Sequence, residues 1–173
     1  MNLPLLLNVT VLAVFSGCAV MSPNLLFVRM RGINAKGTIS KQREQIGLIE
    51  VNIRQLSESQ INDLWIGLSA TNQTSLVEVT EDLIRQIGVP STNFYSAASD
   101  ASTYFYCGYS FRFEGGHFAK CLANQYGFPP KVGSAFVMLG SRKNAVSLSL
   151  PCSLYDFEKV FGSADKVERG FGW

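Results

Sequence analysis

The sequence predicts an α+β fold for a single domain, with an antiparallel or mixed sheet of about five strands and about four helices. Segments in which apolar and polar residues alternate indicate strands. Capping-box sequences followed by apolar residues at helical spacing indicate helices. These segments follow one another in the order β-β-α-α-β-α-β-β-α, which is typical of an antiparallel sheet with helices on one face. Apolar residues make up 47% of the chain and charged residues 16%, which excludes a disordered protein.

The first two strands are predicted in the first third of the chain. Residues 25–31 (LLFVRMR) form a short apolar run, and residues 32–38 are expected to form a loop. Residues 46–56 (IGLIEVNIRQL) alternate from Leu48 onward, which predicts a strand with one buried face. The residues on that face are Ile49, Val51 and Ile53.

A capping box predicts the first helix. Ser57 and Gln60 form the pattern S-x-x-Q, in which each side chain satisfies a free amide at the start of a helix. An apolar face at helical spacing follows, made of Ile61, Leu64, Trp65 and Leu68. We expect Trp65 to be a core residue rather than a platform for a ligand.

A second capping box, S-x-x-E at Ser75 and Glu78, predicts the second helix. Its apolar face continues to Ile87, and Gly88 and Pro90 are expected to end it. Residues 76–79 also fit a strand, because β-branched residues are frequent in strands. Residues 90–102 are expected to form a loop.

The centre of the most aromatic region is a strand predicted over residues 103–113. In one continuous strand, a period of two places Phe105, Cys107 and Phe111 on the core face, with Tyr104 and Tyr106 on the other face. Because tyrosines are frequent in interfaces, Tyr104 and Tyr106 are candidates for a partner surface. The alternative is that a second layer of the protein covers them.

A short helix is predicted over residues 117–126, after Gly115-Gly116. Its apolar side carries Cys121, and the glycine turn would fold that side onto the face that carries Cys107. We therefore expect a disulfide between Cys107 and Cys121, which would contribute about 3 kcal/mol in the chain-entropy model. Two alternatives stay open: Cys107 pairs with Cys152, or the thiols remain separate and buried.

The last part of the chain predicts a β-hairpin and a helix. Residues 135–140 (AFVMLG) form a continuous apolar run, and residues 145–150 alternate after a turn. Ser153 and Asp156 then begin a helix that Gly162 is expected to end. The apolar face of this helix consists of Leu154, Phe157, Val160 and Phe161.

The N-terminal segment MNLPLLLNVTVLAVFSGC differs from the rest of the chain. An apolar run over residues 3–15 is followed by two small residues, Ser16 and Gly17, and then by Cys18. This arrangement resembles the lipobox of a bacterial lipoprotein precursor. The resemblance implies that residues 1–17 are a signal peptide and that Cys18 becomes the N-terminus, carrying a diacylglycerol and an acyl chain.

The same resemblance implies a location and a division of the chain. Ala19 follows the lipidated residue, which implies delivery to the outer membrane with the protein facing the periplasm. Residues 18–24 would then be an anchor segment, and residues 25–173 a single globular domain. A single acyl chain binds a membrane only marginally, so stable anchoring needs more than one. The diacylglycerol and the acyl chain on Cys18 would supply them without a membrane-spanning helix.

Two other interpretations of the N-terminal segment stay open. A membrane span needs about 20 mostly apolar residues, and no charged residue precedes Arg29. The basic residues after such a span would hold the domain in the cytoplasm. A buried helix of a soluble protein is the third interpretation, although such a helix would be expected to be amphipathic.

The positive charge is concentrated in residues 29–43, which contain five basic residues and no acidic one. Since the net charge of the whole chain is +2, the remainder carries −3. This basic segment is either a contact for anionic lipid headgroups near the anchor or a solvated linker or edge strand. A nucleic-acid partner is not predicted, because that would need a basic face across the whole domain.

The sequence contains no catalytic, metal-binding or cofactor-binding motif. His117, the only histidine, allows one alternative function, a thiol hydrolase in which Cys107 or Cys121 is the nucleophile and His117 the base. Predicted burial of both thiols opposes it. A zinc site built from His117 and three cysteines, including Cys152, matches no compact zinc-binding spacing.

The sequence thus predicts a lipid-anchored protein of the cell envelope, with a domain that binds a protein partner or supports an assembly. It predicts a membrane contact through the anchor at Cys18, and no enzymatic activity, cofactor or metal.

Overall fold

The computed structural model describes residues 24–41, 43–69, 72–106, 108–124 and 138–171. Within these ranges the chain forms thirteen strands, three short α-helices and two 3₁₀ turns at Ile53–Gln55 and Leu76–Glu78. The helices are α1 (Glu58–Asp63), α2 (Glu81–Arg85) and α3 (Leu154–Phe161). The strands are β1 (Asn24–Met30), β2 (Ile33–Ser40), β3 (Arg43–Asn52), β4 (Leu64–Ser69), β5 (Asn72–Ser75), β6 (Thr92–Ser96), β7 (Ala101–Tyr106), β8 (Tyr109–Glu114), β9 (His117–Asn124), β10 (Met138–Ser141), β11 (Val146–Leu148), β12 (Cys152–Ser153) and β13 (Lys166–Phe171).

The predicted α+β class is wrong, because the described chain is mostly β. Its strands form two antiparallel sheets instead of one sheet of about five strands. The larger sheet has the strand order β13-β1-β2-β3-β9-β8-β7-β6. The long strand β3 pairs with β2 on one side and with both β9 and β12 on the other. The smaller sheet has the order β11-β10-β4-β5.

A hydrophobic core joins the two sheets to α3. It contains Leu26 and Ile49 from the large sheet, Ile66 from the small sheet and Phe157 from α3, each no more than 1% exposed. In β1, in β8 and in β3 from Leu48 onward, the residues that alternate with the core residues are not buried. The large sheet therefore has one face on the core and an opposite face, here called the open face, that no described element covers.

The aromatic segment is a hairpin rather than one strand. Strands β7 and β8 pair antiparallel, with Tyr104 opposite Phe111 and Tyr106 opposite Tyr109. The turn between them contains Gly108, whose φ of +83° is in the left-handed region that favours glycine. Because directly opposed residues share a face, even-numbered residues of β7 and odd-numbered residues of β8 point the same way. The period-two prediction over residues 103–113 therefore assigns β8 correctly and reverses β7.

Two segments predicted as helices are partly or wholly strands. The capping box of Ser57 and Gln60 is confirmed, but α1 ends at Asp63 and the chain continues into β4. Leu64, Trp65 and Ile66 are all buried, so their apolar run is that of a strand covered on both faces, which resembles a helix pattern over a short length. Residues His117–Asn124 form β9 and not a helix.

Other predicted elements are confirmed. The predicted strands near residues 25–31 and 46–56 are β1 and β3. The loop predicted over residues 32–38 is wrong, because most of it belongs to β2. The C-terminal hairpin is present as β10 and β11, with Leu139 opposite Leu148. Helix α3 begins after Ser153, whose side chain accepts a hydrogen bond from the Asp156 amide, and ends at Gly162.

Within the described ranges, no helix has the length and apolar character that crossing a membrane requires. The N-terminal segment, including Cys18, lies outside these ranges, so its interpretation stays a prediction.

Candidate functional site

The open face is built from cross-strand rows of side chains. In one row Asn52 of β3 lies opposite Lys120 of β9, which lies opposite Arg112 of β8. The row continues through Thr103 of β7 to Phe94 of the edge strand β6. Neighbouring residues in such a row have Cβ atoms about 5 Å apart, so that their side chains form one continuous surface across five strands.

A depression with a volume of about 600 Å³ lies on this surface. It is open to solvent and not an enclosed cavity. A second depression of about 390 Å³ continues the open face toward β1 and β2, and Glu50 and Leu122 line both. The residues that line the larger depression are Glu50, Asn52, Arg54, Gln55, Phe94, Thr103, Phe105, Ser110, Arg112, Glu114, Ala119, Lys120 and Leu122.

Glu114 organises the charged part of the depression. Its two carboxylate oxygens face two guanidinium groups, with Arg54 Nη1 at 2.6 Å and Arg112 Nε at 2.7 Å. The hydrogen bond from Arg112, followed by the charge of Arg54, lowers the pKa of Glu114, against an opposing contribution from burial. Each guanidinium has five N–H donors, so both retain donors that a ligand can use. The arrangement presents two fixed cations beside one carboxylate.

A third ion pair lies one strand away, where Lys120 Nζ is 3.0 Å from Glu50 Oε2. These pairs are partly exposed, and exposed pairs contribute little to folding stability. Their main effect is to hold the long side chains in defined positions on the sheet.

Exposed aromatic side chains form the other part of the depression. Phe94 is 64% exposed and Phe105 is 39% exposed, and both lie on the open face of the β6–β7 hairpin. Tyr95, on the opposite face of β6, is 60% exposed, and its hydroxyl donates a hydrogen bond to Asp100. Aromatic and arginine side chains together are typical of the residues that dominate binding at protein interfaces.

The two edges of the large sheet differ in chemistry. The edge strand β13 carries Lys166, Glu168 and Arg169, and charged side chains on an edge oppose pairing with another strand. The edge strand β6, with the sequence TNFYS, has no charged residue, and its five residues are exposed or half-buried. No described strand pairs with its outer side, which therefore offers backbone hydrogen-bonding groups beside Phe94.

Tyr104 and Tyr106 do not lie on the open face, and the prediction that they face away from the core is wrong. Tyr104 is 6% exposed; its hydroxyl donates to Glu81 Oε2 at 2.6 Å and accepts from Arg85 Nη2 at 2.9 Å. The Tyr106 hydroxyl donates to the carbonyl oxygen of Ile84 at 3.0 Å. The turn at Gly108 explains the reversal, and both tyrosines attach α2 to β7.

The Cys121 thiol and the His117 imidazole do not form a catalytic pair. Cys121 is a free thiol that is 4% exposed, and its burial raises the pKa to about 12. His117 is exposed at the start of the same strand, four residues away, and strand geometry puts their Cα atoms about 13 Å apart. Cys152 is also free and buried, and burial raises its pKa to about 12.

Cys107, the other predicted nucleophile and disulfide partner, lies outside the described residues. Because Cys121 is a free thiol, the structure gives the predicted Cys107–Cys121 bridge no support. In the part of the chain that the structure describes, no three histidine, cysteine, aspartate or glutamate residues are grouped as metal ligands would be.

The sequence analysis did not identify the residues of the open face. Part of the open face is predictable from the sequence if the aromatic segment is divided into two strands at Gly108. Phe105 then pairs with Ser110, and Arg112 with Thr103, on the face away from the core. The contribution of Arg54 and Phe94 depends on long-range pairing, which a single sequence does not reveal. No protein-family model, curated protein or solved structure matches the chain.

Proposed function

We propose that this protein is a lipid-anchored protein of the bacterial cell envelope whose β domain binds a protein partner on the open face of its large sheet. The anchor is argued from residues 1–18, whose pattern resembles a lipobox. The binding function is argued from the structure. The observation that carries it is the depression in which Phe94 and Phe105 are exposed beside Arg54 and Arg112.

The chemistry of the depression favours a protein partner over a small molecule. Sites for small molecules enclose most of the ligand surface, whereas this depression is open to solvent on the face of a sheet. Aromatic and arginine side chains are enriched at protein interfaces, and both are present. The uncharged edge of β6 adds a further means of recognition, since an extended peptide that pairs with β6 gains main-chain hydrogen bonds next to Phe94.

Site-specific photo-crosslinking in the source cells tests the binding function. A benzophenone side chain at position 105 is expected to give one crosslinked product of discrete mass, because Phe105 lies inside the depression. The matched control is position 77, where Val77 is 64% exposed in the 3₁₀ turn before α2. The substitution Arg112→Gln is expected to reduce the product at position 105, since it removes one of the two fixed cations. Equal products at positions 77 and 105, or none at 105, would contradict a binding site on the open face.

Mass spectrometry of the intact protein from the membrane fraction tests the anchor. The expected result is loss of residues 1–17 and the added mass of acyl groups on Cys18. A chain that still begins at Met1 without acyl mass would exclude the lipoprotein interpretation and would favour the N-terminal span. The crosslinking result does not depend on this outcome.

A further inference from the structure

The chain enters the large sheet at the end where β2 turns into β3. Asn24, the first residue of β1, lies opposite Ile39, and Ser40 lies opposite Arg43 across the turn. Lys41 is in this turn with a φ of +46°, and both Lys41 and Arg43 are exposed. Two cations of the basic segment are thus beside the point where the anchor segment joins the domain. We call this region the entry end of the sheet.

The cations at the entry end are available to an external anion. Among the described residues, neither Lys41 nor Arg43 has a carboxylate within ion-pair distance. The neighbouring Glu44 is engaged by Arg169, whose Nε is 2.5 Å from Glu44 Oε1. Ser153 lies opposite Gln45, so α3 also begins at this end, with Tyr155 66% exposed in its first turn. Tyrosine and basic residues are the side chains that favour a membrane–water interface.

The basic segment does not form a single patch. Arg31 is in the turn between β1 and β2, at the far end of the hairpin, where its Nε donates to the carbonyl oxygen of Gln55. Strand geometry places Arg43 and Asn52, the two ends of β3, about 30 Å apart. The depression begins at the Asn52 end, so the entry end and the candidate binding site are at opposite ends of β3.

The length of chain between the anchor and the domain limits their separation. Five residues lie between Cys18 and Asn24, and the six Cα-to-Cα steps of a fully extended chain span at most about 20 Å. If Cys18 is acylated, the entry end therefore stays close to the bilayer.

We infer that the entry end, through Lys41 and Arg43, rests on the anionic headgroups of the membrane, and that the depression on the open face points away from it. This inference depends on the proposed lipid anchor. The partner then binds about 30 Å from the lipid surface, where the bilayer does not obstruct the open face.

Protection of lysine amines on vesicles tests this orientation. The mature acylated protein is reconstituted in vesicles of phosphatidylcholine, with or without phosphatidylglycerol, and treated with an uncharged acylating reagent. Lys41 is expected to react roughly fivefold more slowly when phosphatidylglycerol is present, which corresponds to about 1 kcal/mol for one basic residue at an anionic surface. Lys120, which lies opposite Asn52, is expected to react equally in both, as quantified by peptide mass spectrometry.

Two charge-neutralising variants provide the controls. Arg43→Gln is expected to weaken the protection of Lys41, whereas Arg31→Gln, at the other end of the same sheet, is expected to leave it unchanged. Equal reaction of Lys41 in both kinds of vesicle, or protection of Lys120 instead, overturns the orientation. An acylated chain with unprotected Lys41 overturns this inference alone, whereas absence of acyl mass on Cys18 overturns it together with the proposed anchor.

Discussion

The substitution Gly140→Ala is expected to destabilise the protein, because Gly140 lies at the contact between the two central strands of the small sheet. Gly140 of β10 lies directly opposite Trp65 of β4. A Cβ atom on Gly140 would lie 2.3 Å from both Cε2 and Cζ2 of Trp65 and 2.6 Å from the carbonyl oxygen of Val146. These distances are far below van der Waals contact. Trp65 is only 4% exposed, so its ring has no free space to move into.

The expected loss of stability follows from two opposing effects. Overpacking of a buried site costs typically about 1–3 kcal/mol, and contacts this short put Gly140→Ala at the upper end. Replacing glycine by alanine also lowers the entropy of the unfolded chain, which returns about 0.4–1 kcal/mol. We therefore expect Gly140→Ala to lower the free energy of unfolding by about 2 kcal/mol.

Urea unfolding followed by far-ultraviolet circular dichroism measures this change. The matched control is Gly170→Ala in β13, where an added Cβ meets no atom within 4 Å, so only the entropy effect remains and a gain of about 0.4–1 kcal/mol is expected. A double-mutant cycle with Trp65→Phe is expected to show a coupling of about 1 kcal/mol, because the smaller ring relieves the clash. A Gly140→Ala variant as stable as Gly170→Ala would refute the packing argument.

Three further predictions concern hydrogen bonds, a thiol and the charged part of the depression. Tyr104→Phe removes the bonds to Glu81 and Arg85 and should lower the free energy of unfolding by about 1–2 kcal/mol, whereas Tyr95→Phe at the surface should change it by less than about 0.5 kcal/mol. Burial raises the pKa of Cys121 from 9.0 to about 12, so the unfolded state loses this proton first as the pH rises from 9 to 12. In that range the free energy of unfolding of the wild type should fall relative to that of Cys121→Ala by about 1.4 kcal/mol per pH unit. Urea unfolding at a series of pH values measures this difference. If the difference between the two proteins does not change with pH, Cys121 is not buried as described. Because the Arg112 hydrogen bond is the largest cause of the lowered pKa of Glu114, Arg112→Gln should move that pKa back toward its ordinary value in an NMR titration, and an unchanged titration would exclude this pairing.

Local signals in the sequence predicted the starts of elements better than their extents. The Ser57–Gln60 box and the Ser153 cap are present, because capping depends only on residues three positions apart. The Ser75–Glu78 box is also present, yet it opens a single 3₁₀ turn, and Thr80 caps α2 instead. A cap fixes where a helix begins, whereas its length depends on tertiary packing.

A strand covered on both faces was one source of the wrong fold class. In β4 the consecutive residues Leu64, Trp65 and Ile66 are buried, because this strand is central in the small sheet and lies against the core. Their spacing, combined with Ile61 in α1, fits a helix equally well. The sheet partners that decide between the two are Ser75 and Ser141, ten or more residues away, and a local pattern does not contain that information.

The exposed phenylalanine side chains of the open face contribute less to folding stability than they would if they were buried in the core. A phenylalanine side chain gains about 1.5–3 kcal/mol when it is fully buried, and Phe94 at 64% exposed forgoes much of that gain. Phe105, its neighbour in the depression, is also left exposed, although the core side of the same hairpin holds Tyr104 and Phe111. The proposed partner would recover this energy by covering both rings, and the two guanidinium groups held by Glu114 would fix its orientation. Under the proposed function, binding at the Asn52 end and anchoring at the Arg43 end would assign separate tasks to the two ends of one strand, β3.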